Sequence, residues 1–165
     1  MKLKINQLII CLLVAASSWA QPGIYNEADI EFQALFLDAM IAKQLNDSEK
    51  QLESLNEIIR RDKTSHAAYY ELARAYQAKD NLELAQKNAE KAVDYKPSNQ
   101  WYKLLLAEIY ELSNQNKKAC TVYKELITIE KNNDLLYHKL AFNQLRSKDA
   151  DAAIATLESL QTKSG

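Results

Sequence analysis

Residues that commonly carry catalysis are few in this sequence, and they stand apart. His66 and His138 are the only histidines, and neither belongs to an H-E-x-x-H motif or to a cysteine–histidine cluster with metal-ligand spacing. The only glycines, Gly23 and Gly165, are too far apart to form a phosphate-binding loop. The many carboxylates are distributed as on solvated helix faces. The sequence therefore predicts no catalytic residue, no metal site and no cofactor, and we expect the chain not to be an enzyme by itself.

His66 and Cys120 each have a structural explanation. His66 lies near a predicted helix start, where we expect it to be solvated. Cys120 follows the small Ala119 in a predicted helix, which is typical of a small packed residue. The alternative is a free thiol that pairs with a partner outside the cell. The only other cysteine, Cys11, lies in a segment predicted to be removed, so no internal disulfide is expected.

The first twenty residues have the three parts of a secretory signal peptide. Lys2 and Lys4 form a basic start, an apolar run follows at 8–16, and Ser18 and Ala20 are the small residues that signal peptidase requires. The apolar run is shorter than the roughly 20 residues of a membrane-spanning helix. Lipid attachment at Cys11 is disfavoured because three large apolar residues precede it. We therefore expect cleavage after residue 20 and export to the periplasm or the medium.

Composition favours a helical chain. Gly and Pro occur only twice each in 165 residues, which indicates helices joined by short polar turns. Apolar residues make up 47% and charged residues 26%, as in chains that pack a core. The net charge of −1 gives no electrostatic reason to expect nucleic acid or an anionic membrane as a partner.

The sequence repeats with a spacing of 34 residues. Three columns of identical residues show the period: Leu72, Leu106 and Leu140; Ala73, Ala107 and Ala141; and Ala85, Ala119 and Ala153. Polar turns at 79–81, 114–116 and 147–149 keep the same register, and their Asp, Asn and Ser residues are good helix N-caps. Between turns the apolar residues recur at helical spacing. Each unit is therefore predicted to be a pair of helices.

This pattern resembles the tetratricopeptide repeat. The second unit carries the family's residues at Tyr69, Leu72, Ala73, Tyr76, Ala85, Ala89, Ala92 and Pro97. The resemblance implies an all-α, right-handed superhelical solenoid of about four helix-turn-helix units at 32–65, 66–99, 100–133 and 134–165, after a signal peptide at 1–20 and a linker at 21–31. The first unit is a degenerate copy. In the third unit Lys103 replaces the usual aromatic residue, whose space Trp101 could fill instead.

The resemblance also implies a binding surface. In this family the first helix of each unit lines a concave face, which here would present Phe36, Met40, Tyr70, Arg74, Trp101, Leu104, Glu108, His138 and Phe142. Leu104, and likewise Leu112 and Leu135, could instead complete the interior. Exposed aromatic residues commonly dominate binding energy. The family's clamp for a terminal carboxylate is not expected, because its positions hold residues such as Glu71 and Leu105.

These features predict an exported scaffold that binds a peptide or helix of another protein in its concave groove. An alternative is the N-terminal sensory or assembly segment of a larger signalling protein whose output domain is absent here. A third hypothesis is self-association. The last helix is expected to end near Leu160 and to carry an apolar stripe of Ala153, Ile154, Leu157 and Leu160. We expect that stripe to be covered by further repeats, by a partner or by a second copy.

Overall fold

The computed structural model describes residues 27–164, and all of their regular structure is helical. The predicted signal peptide lies outside these residues. The helices run in sequence order as α1 Glu27–Gln44, α2 Ser48–Arg61, α3 His66–Ala78, α4 Leu82–Tyr95, α5 Gln100–Leu112, α6 Asn116–Ile129, α7 Asp134–Arg146 and α8 Ala150–Ser164. The chain divides into two units after Ala34, and the following description concerns the unit that begins at Leu35. The all-α solenoid prediction is confirmed.

Helix starts follow the polar breaks of the sequence. Asp47 caps α2 by accepting a hydrogen bond from the amide of Lys50, and Asn81 does the same for α4. Asn99 accepts hydrogen bonds from two backbone amides at the start of α5. Such caps satisfy amides that have no partner within the helix, so these residues determine where α2, α4 and α5 begin. The residues before α3, α6 and α7 make no side-chain cap.

The turn inside each helix pair repeats with the 34-residue period. The residues Asn46, Asp80, Asn114 and Lys148 all have positive φ, between 56° and 63°. The next residue in each turn donates its amide to a carbonyl five residues earlier, as Asp47 does to Ala42. This is the Schellman ending of a helix, in which one left-handed residue reverses the chain. The degenerate first copy therefore turns in the same way as the other three.

Small residues bring neighbouring helices together. Ala73 and Ala107 on the first helices are fully buried, as are Ala85 and Ala119 on the second helices. The leucine column at 72, 106 and 140 is also buried. Consecutive helices from α2 to α8 pack against each other in order, with a further contact between α3 and α5. The 34-residue columns therefore form the core between these helices.

Two helices are longer than the sequence analysis predicts. Helix α1 begins at Glu27, within the segment expected to be a linker, because residues such as Ala28 and Glu31 favour helix without needing burial. Helix α8 continues to Ser164 rather than ending near Leu160. Its last residues are polar, but none before Gly165 breaks a helix, and an exposed turn needs no apolar contact.

Candidate functional site

The nine residues predicted to line the concave face lie on the first helices of the four pairs, α1, α3, α5 and α7. Eight of them form two rows with the 34-residue period. The first row is Phe36, Tyr70, Leu104 and His138, and the second is Met40, Arg74, Glu108 and Phe142. Members of the two rows on one helix are four residues apart, so they lie on the same helix face. The ninth residue, Trp101, precedes Leu104 by one turn on α5.

The exposure of these residues separates binding candidates from core residues. Trp101 is 70% exposed and Phe142 49%, and His138 and Arg74 are also exposed. Leu104 is half-buried and packs against the core. The other members, Phe36, Met40, Tyr70 and Glu108, are half-buried. The apolar part of the face thus centres on α5 and α7.

Three further leucines extend the apolar surface. Leu112 and Leu135 are 54% and 62% exposed, so they do not complete the interior. Leu145 is 55% exposed on the same helix as Phe142, and the sequence analysis did not include it. Leu145 lies 34 residues after Glu111, three residues after Phe142 on the same first helix, and this spacing could have identified it.

Trp101 does not occupy the space of the missing aromatic residue in the third unit. Lys103 remains in that position, with a side chain only 16% exposed, and its Nζ lies 2.6 Å from Oε2 of Glu125. The methylene groups of a lysine can cover apolar surface while the ammonium reaches a carboxylate. Trp101 is therefore free to face solvent.

Tyrosines join α3 to α5 beneath this surface. Tyr70 stacks on Tyr102 with 4.8 Å between ring centroids, and the Tyr102 hydroxyl lies 2.9 Å from Nδ1 of His66. The expectation that His66 is solvated is wrong, because Tyr102 on the next first helix covers part of its ring. Partial burial lowers the pKa of His66, and the charge of Lys96 lowers it further.

A polar network that the sequence analysis did not find links α5, α6 and α7. Oε2 of Glu111 accepts hydrogen bonds from the Tyr123 hydroxyl at 3.0 Å, from Nδ2 of Asn143 at 3.3 Å and from Nζ of Lys139 at 3.4 Å. Burial, followed by the charge of Glu111, raises the pKa of Tyr123. The network directs the ammonium of Lys139 to Glu111.

A second polar network links α1 and α3. Glu71 accepts from Nζ of Lys43 at 2.8 Å, and a guanidinium nitrogen of Arg74 lies 3.7 Å from its other oxygen. Arg74 also lies over the Tyr70 ring, 5.8 Å from its centroid. Lys43 and Arg74 therefore share the carboxylate of Glu71.

A small cleft opens beside Trp101. It has a volume of about 70 Å³ and lies between α5, the end of α6 and the start of α7. Leu126 and Leu136 form its buried apolar wall together with the half-buried Leu104. Glu130 and Asn133 form a polar rim, where Nδ2 of Asn133 donates to Oε2 of Glu130 at 2.6 Å.

Cys120 is a packed residue in this structure. It is 8% exposed within the core cluster, and burial raises the pKa of its thiol. Among residues 30–162, no group of three or more His, Cys, Asp or Glu side chains is placed so that it could hold a metal ion. No helix within 27–164 is both long and apolar enough to cross a membrane.

Comparison with known proteins identifies the repeat. The family model of the tetratricopeptide repeat matches residues 66–99 and 102–133, the second and third helix pairs. The second and third helix pairs are therefore tetratricopeptide repeats. A search of curated proteins finds no match.

Solved structures share the fold at low sequence identity. A crystal structure of MamA is 20% identical, over 80% of this chain and 72% of that one, with a TM-score of 0.71. YrrB, a TPR protein with an unusual peptide-binding site, is 18% identical over 75% and 64% of the two chains, with a TM-score of 0.66. The TPR2B domain of yeast Sti1, solved in complex with pHsp70, is 15% identical over 68% and 97%, with a TM-score of 0.60.

Proposed function

We propose that this protein is an exported interaction scaffold that binds a peptide or a helix of another protein in its concave groove. The observation that carries the proposal is the exposure of Trp101, 70%, on a first helix whose neighbour presents Phe142. A mostly exposed tryptophan beside an apolar cleft is typical of a binding hot spot. The two similar structures with a peptide-binding site or a bound pHsp70 support the same use of the fold.

The composition of the groove favours an internal segment over a terminal carboxylate as ligand. Lys43 and Arg74 are both paired with Glu71, and Lys139 is paired with Glu111. These three cations are therefore paired with carboxylates, whereas Trp101 and Phe142 are exposed. Among the described residues Arg146 has no carboxylate partner, and it lies over the Phe142 ring, 5.6 Å from its centroid. Aromatic rings bury a large area with few rotatable bonds, so they bind a partner at a small entropic cost.

Binding to random peptides displayed on phage tests the groove. Peptides that bind the full chain should lose about 2 kcal/mol of binding free energy when Trp101 is changed to Ala, because that residue is a central anchor. In a Trp19→Phe background Trp101 is the only tryptophan, so its fluorescence should shift on binding.

Lys87→Ala provides the matched control, because Lys87 is exposed on a second helix, α4. It should leave the affinity unchanged. Thermal unfolding should be nearly the same for all three chains, since Trp101 is mostly exposed. Equal loss of binding from both substitutions would rule out a groove centred on Trp101.

A further inference from the structure

We propose that the groove selects a segment in which an aliphatic side chain fills the cleft beside Trp101 and a nearby arginine or lysine pairs with Glu108. This inference rests on the proposed groove function and specifies the chemistry of its ligand. It assigns two subsites on one helix: an apolar subsite at the start of α5 and an acidic subsite near the middle of α5.

The cleft accommodates one aliphatic side chain. Its volume of about 70 Å³ equals roughly two to three times the ~30 Å³ that a water molecule occupies in the liquid. Leu126 and Leu136 are almost fully buried at its base, so an inserted methyl group would meet close-packed apolar atoms. The exposed indole of Trp101 stands at the opening, where it would cover the inserted side chain.

Glu108 is the acidic subsite because its carboxylate has no hydrogen-bond or ion-pair partner among the described residues, although it is half-buried. The nearby ammonium of Lys139 is directed to Glu111. Arg74, in the same row of the face, is directed to Glu71. A ligand cation that reaches this half-buried carboxylate would form a charge-assisted hydrogen bond, so it would gain affinity there.

The donors around Glu111, one turn after Glu108 on α5, are already in use. Tyr123, Lys139 and Nδ2 of Asn143 all donate to the same oxygen of Glu111. Burial raises the pKa of Glu108, the nearby charge of Glu111 also raises it, and Lys139 lowers it. A guanidinium presents its donors in a planar fork that matches both oxygens of a carboxylate, so Glu108 favours arginine over lysine.

The distance between the subsites limits the ligand sequence. Glu108 lies one helical turn after Leu104, about 6 Å along the axis, and seven residues after Trp101, about 10 Å. An extended ligand spans that distance in two or three residues. A helical ligand spans it in one or two turns. The aliphatic and basic residues should therefore recur at one fixed short spacing.

Selection from a random peptide library tests this inference. The full chain should enrich peptides with a basic residue at a constant distance from Leu, Ile or Val. Glu108→Gln should weaken the binding of such a peptide by on the order of tenfold, because a charge-assisted bond is lost. Glu158→Gln, at an exposed site on α8, is the control and should change nothing.

Charge reversal strengthens the test. Glu108→Lys should reject the selected peptide, and replacing the peptide's basic residue with Glu should restore its binding. Glu108→Gln should retain the helical circular dichroism and the unfolding temperature of the parent, since it removes an unpaired charge. If the fold is intact, a loss of binding must come from the change in the groove itself.

The outcomes separate this inference from the function on which it rests. Peptides that require Trp101 but carry no preferred basic residue would overturn the acidic subsite and leave the groove function standing. Peptides that bind without requiring Trp101, or no enrichment at all, would overturn both. Peptides whose basic residue is insensitive to Glu108→Gln would place the pairing elsewhere and overturn the inference.

Discussion

Nδ1 of His66 on α3 lies 2.9 Å from the hydroxyl oxygen of Tyr102 on α5, so a side-chain contact joins the first helices of two successive units. Tyr102 is 8% exposed, and its ring also stacks on Tyr70. These rings set the position of Tyr70 in the concave face. The packing between units therefore helps to position a residue of the surface that we propose binds a partner.

The first prediction concerns the protonation of His66. Its pKa should lie below the ordinary value of 6.5, because burial disfavours the imidazolium and Lys96 repels it more than Asp62 attracts it. The unfolded chain then binds this proton at a higher pH than the folded chain. The contribution of His66 to the free energy of unfolding should therefore be greatest above pH 6.5 and should decrease as the pH falls below that value.

An NMR titration of the imidazole protons measures that pKa directly. His66→Gln should reduce the loss of stability below pH 6.5, since the titrating group is gone. A midpoint at or above 6.5 for His66 would contradict the assignment.

The second prediction concerns Lys148. It has φ of 63°, whereas Asn or Asp occupies the equivalent left-handed position in the other three turns. Lys148→Asn should raise the free energy of unfolding by about 0.5–1 kcal/mol, because Asn tolerates this conformation better. Urea denaturation measures the change, with Lys79→Asn as control, since Lys79 has φ of −92°. An equal effect at both sites would argue against the backbone explanation.

The third prediction concerns the small residues between helices. Ala73 is fully buried where α3 meets its neighbours, so Ala73→Leu should overpack the contact and cost about 1–3 kcal/mol of stability. Ala78→Leu, at an exposed position on the same helix, should have little effect. Thermal unfolding followed by circular dichroism compares the two. A stable Ala73→Leu chain would show that the interface has spare volume.

The fourth prediction concerns the last helix, α8. Ala153 is buried, but Ile154 and Leu157 are 55% and 40% exposed. Such an apolar pair favours association between chains, which we expect sedimentation to detect as the concentration rises. Ile154→Lys together with Leu157→Glu should reduce the association and retain the helical content. A parent chain that stays monomeric, with a double variant that unfolds, would identify the pair as internal packing.

The fifth prediction concerns export. Signal peptidase should remove residues 1–20, because Ser18 and Ala20 provide the small residues that it requires. The intact mass of the protein recovered outside the cytoplasm measures the cleavage. Ala20→Arg should block it and leave the longer form in the cell. Recovery of an exported chain that retains Met1 would show that the segment is not a cleaved signal.

The periodic part of the structure was predictable from sequence. The alanine and leucine columns identified the buried contacts, because a residue that must be small or apolar in each unit recurs at the same position. The turns were equally visible, since Asn and Asp are among the few residues that cap helices and tolerate positive φ. Even the degenerate first copy keeps Asn46 at the turn. Local geometry of this kind depends on neighbours in sequence.

The non-periodic contacts required the tertiary structure. The sequence placed Trp101, Lys103 and Glu108 on one helix. It did not show which of these side chains would be exposed, which would be paired and which would have no partner. Those outcomes depend on Glu125 reaching Lys103 from the next helix, and on Lys139 reaching Glu111 from the next unit. The repeat period and the helix caps depend on residues close together in the sequence, so they can be predicted from it. Pairing between side chains from different helices depends on how those helices pack, which only the folded chain decides.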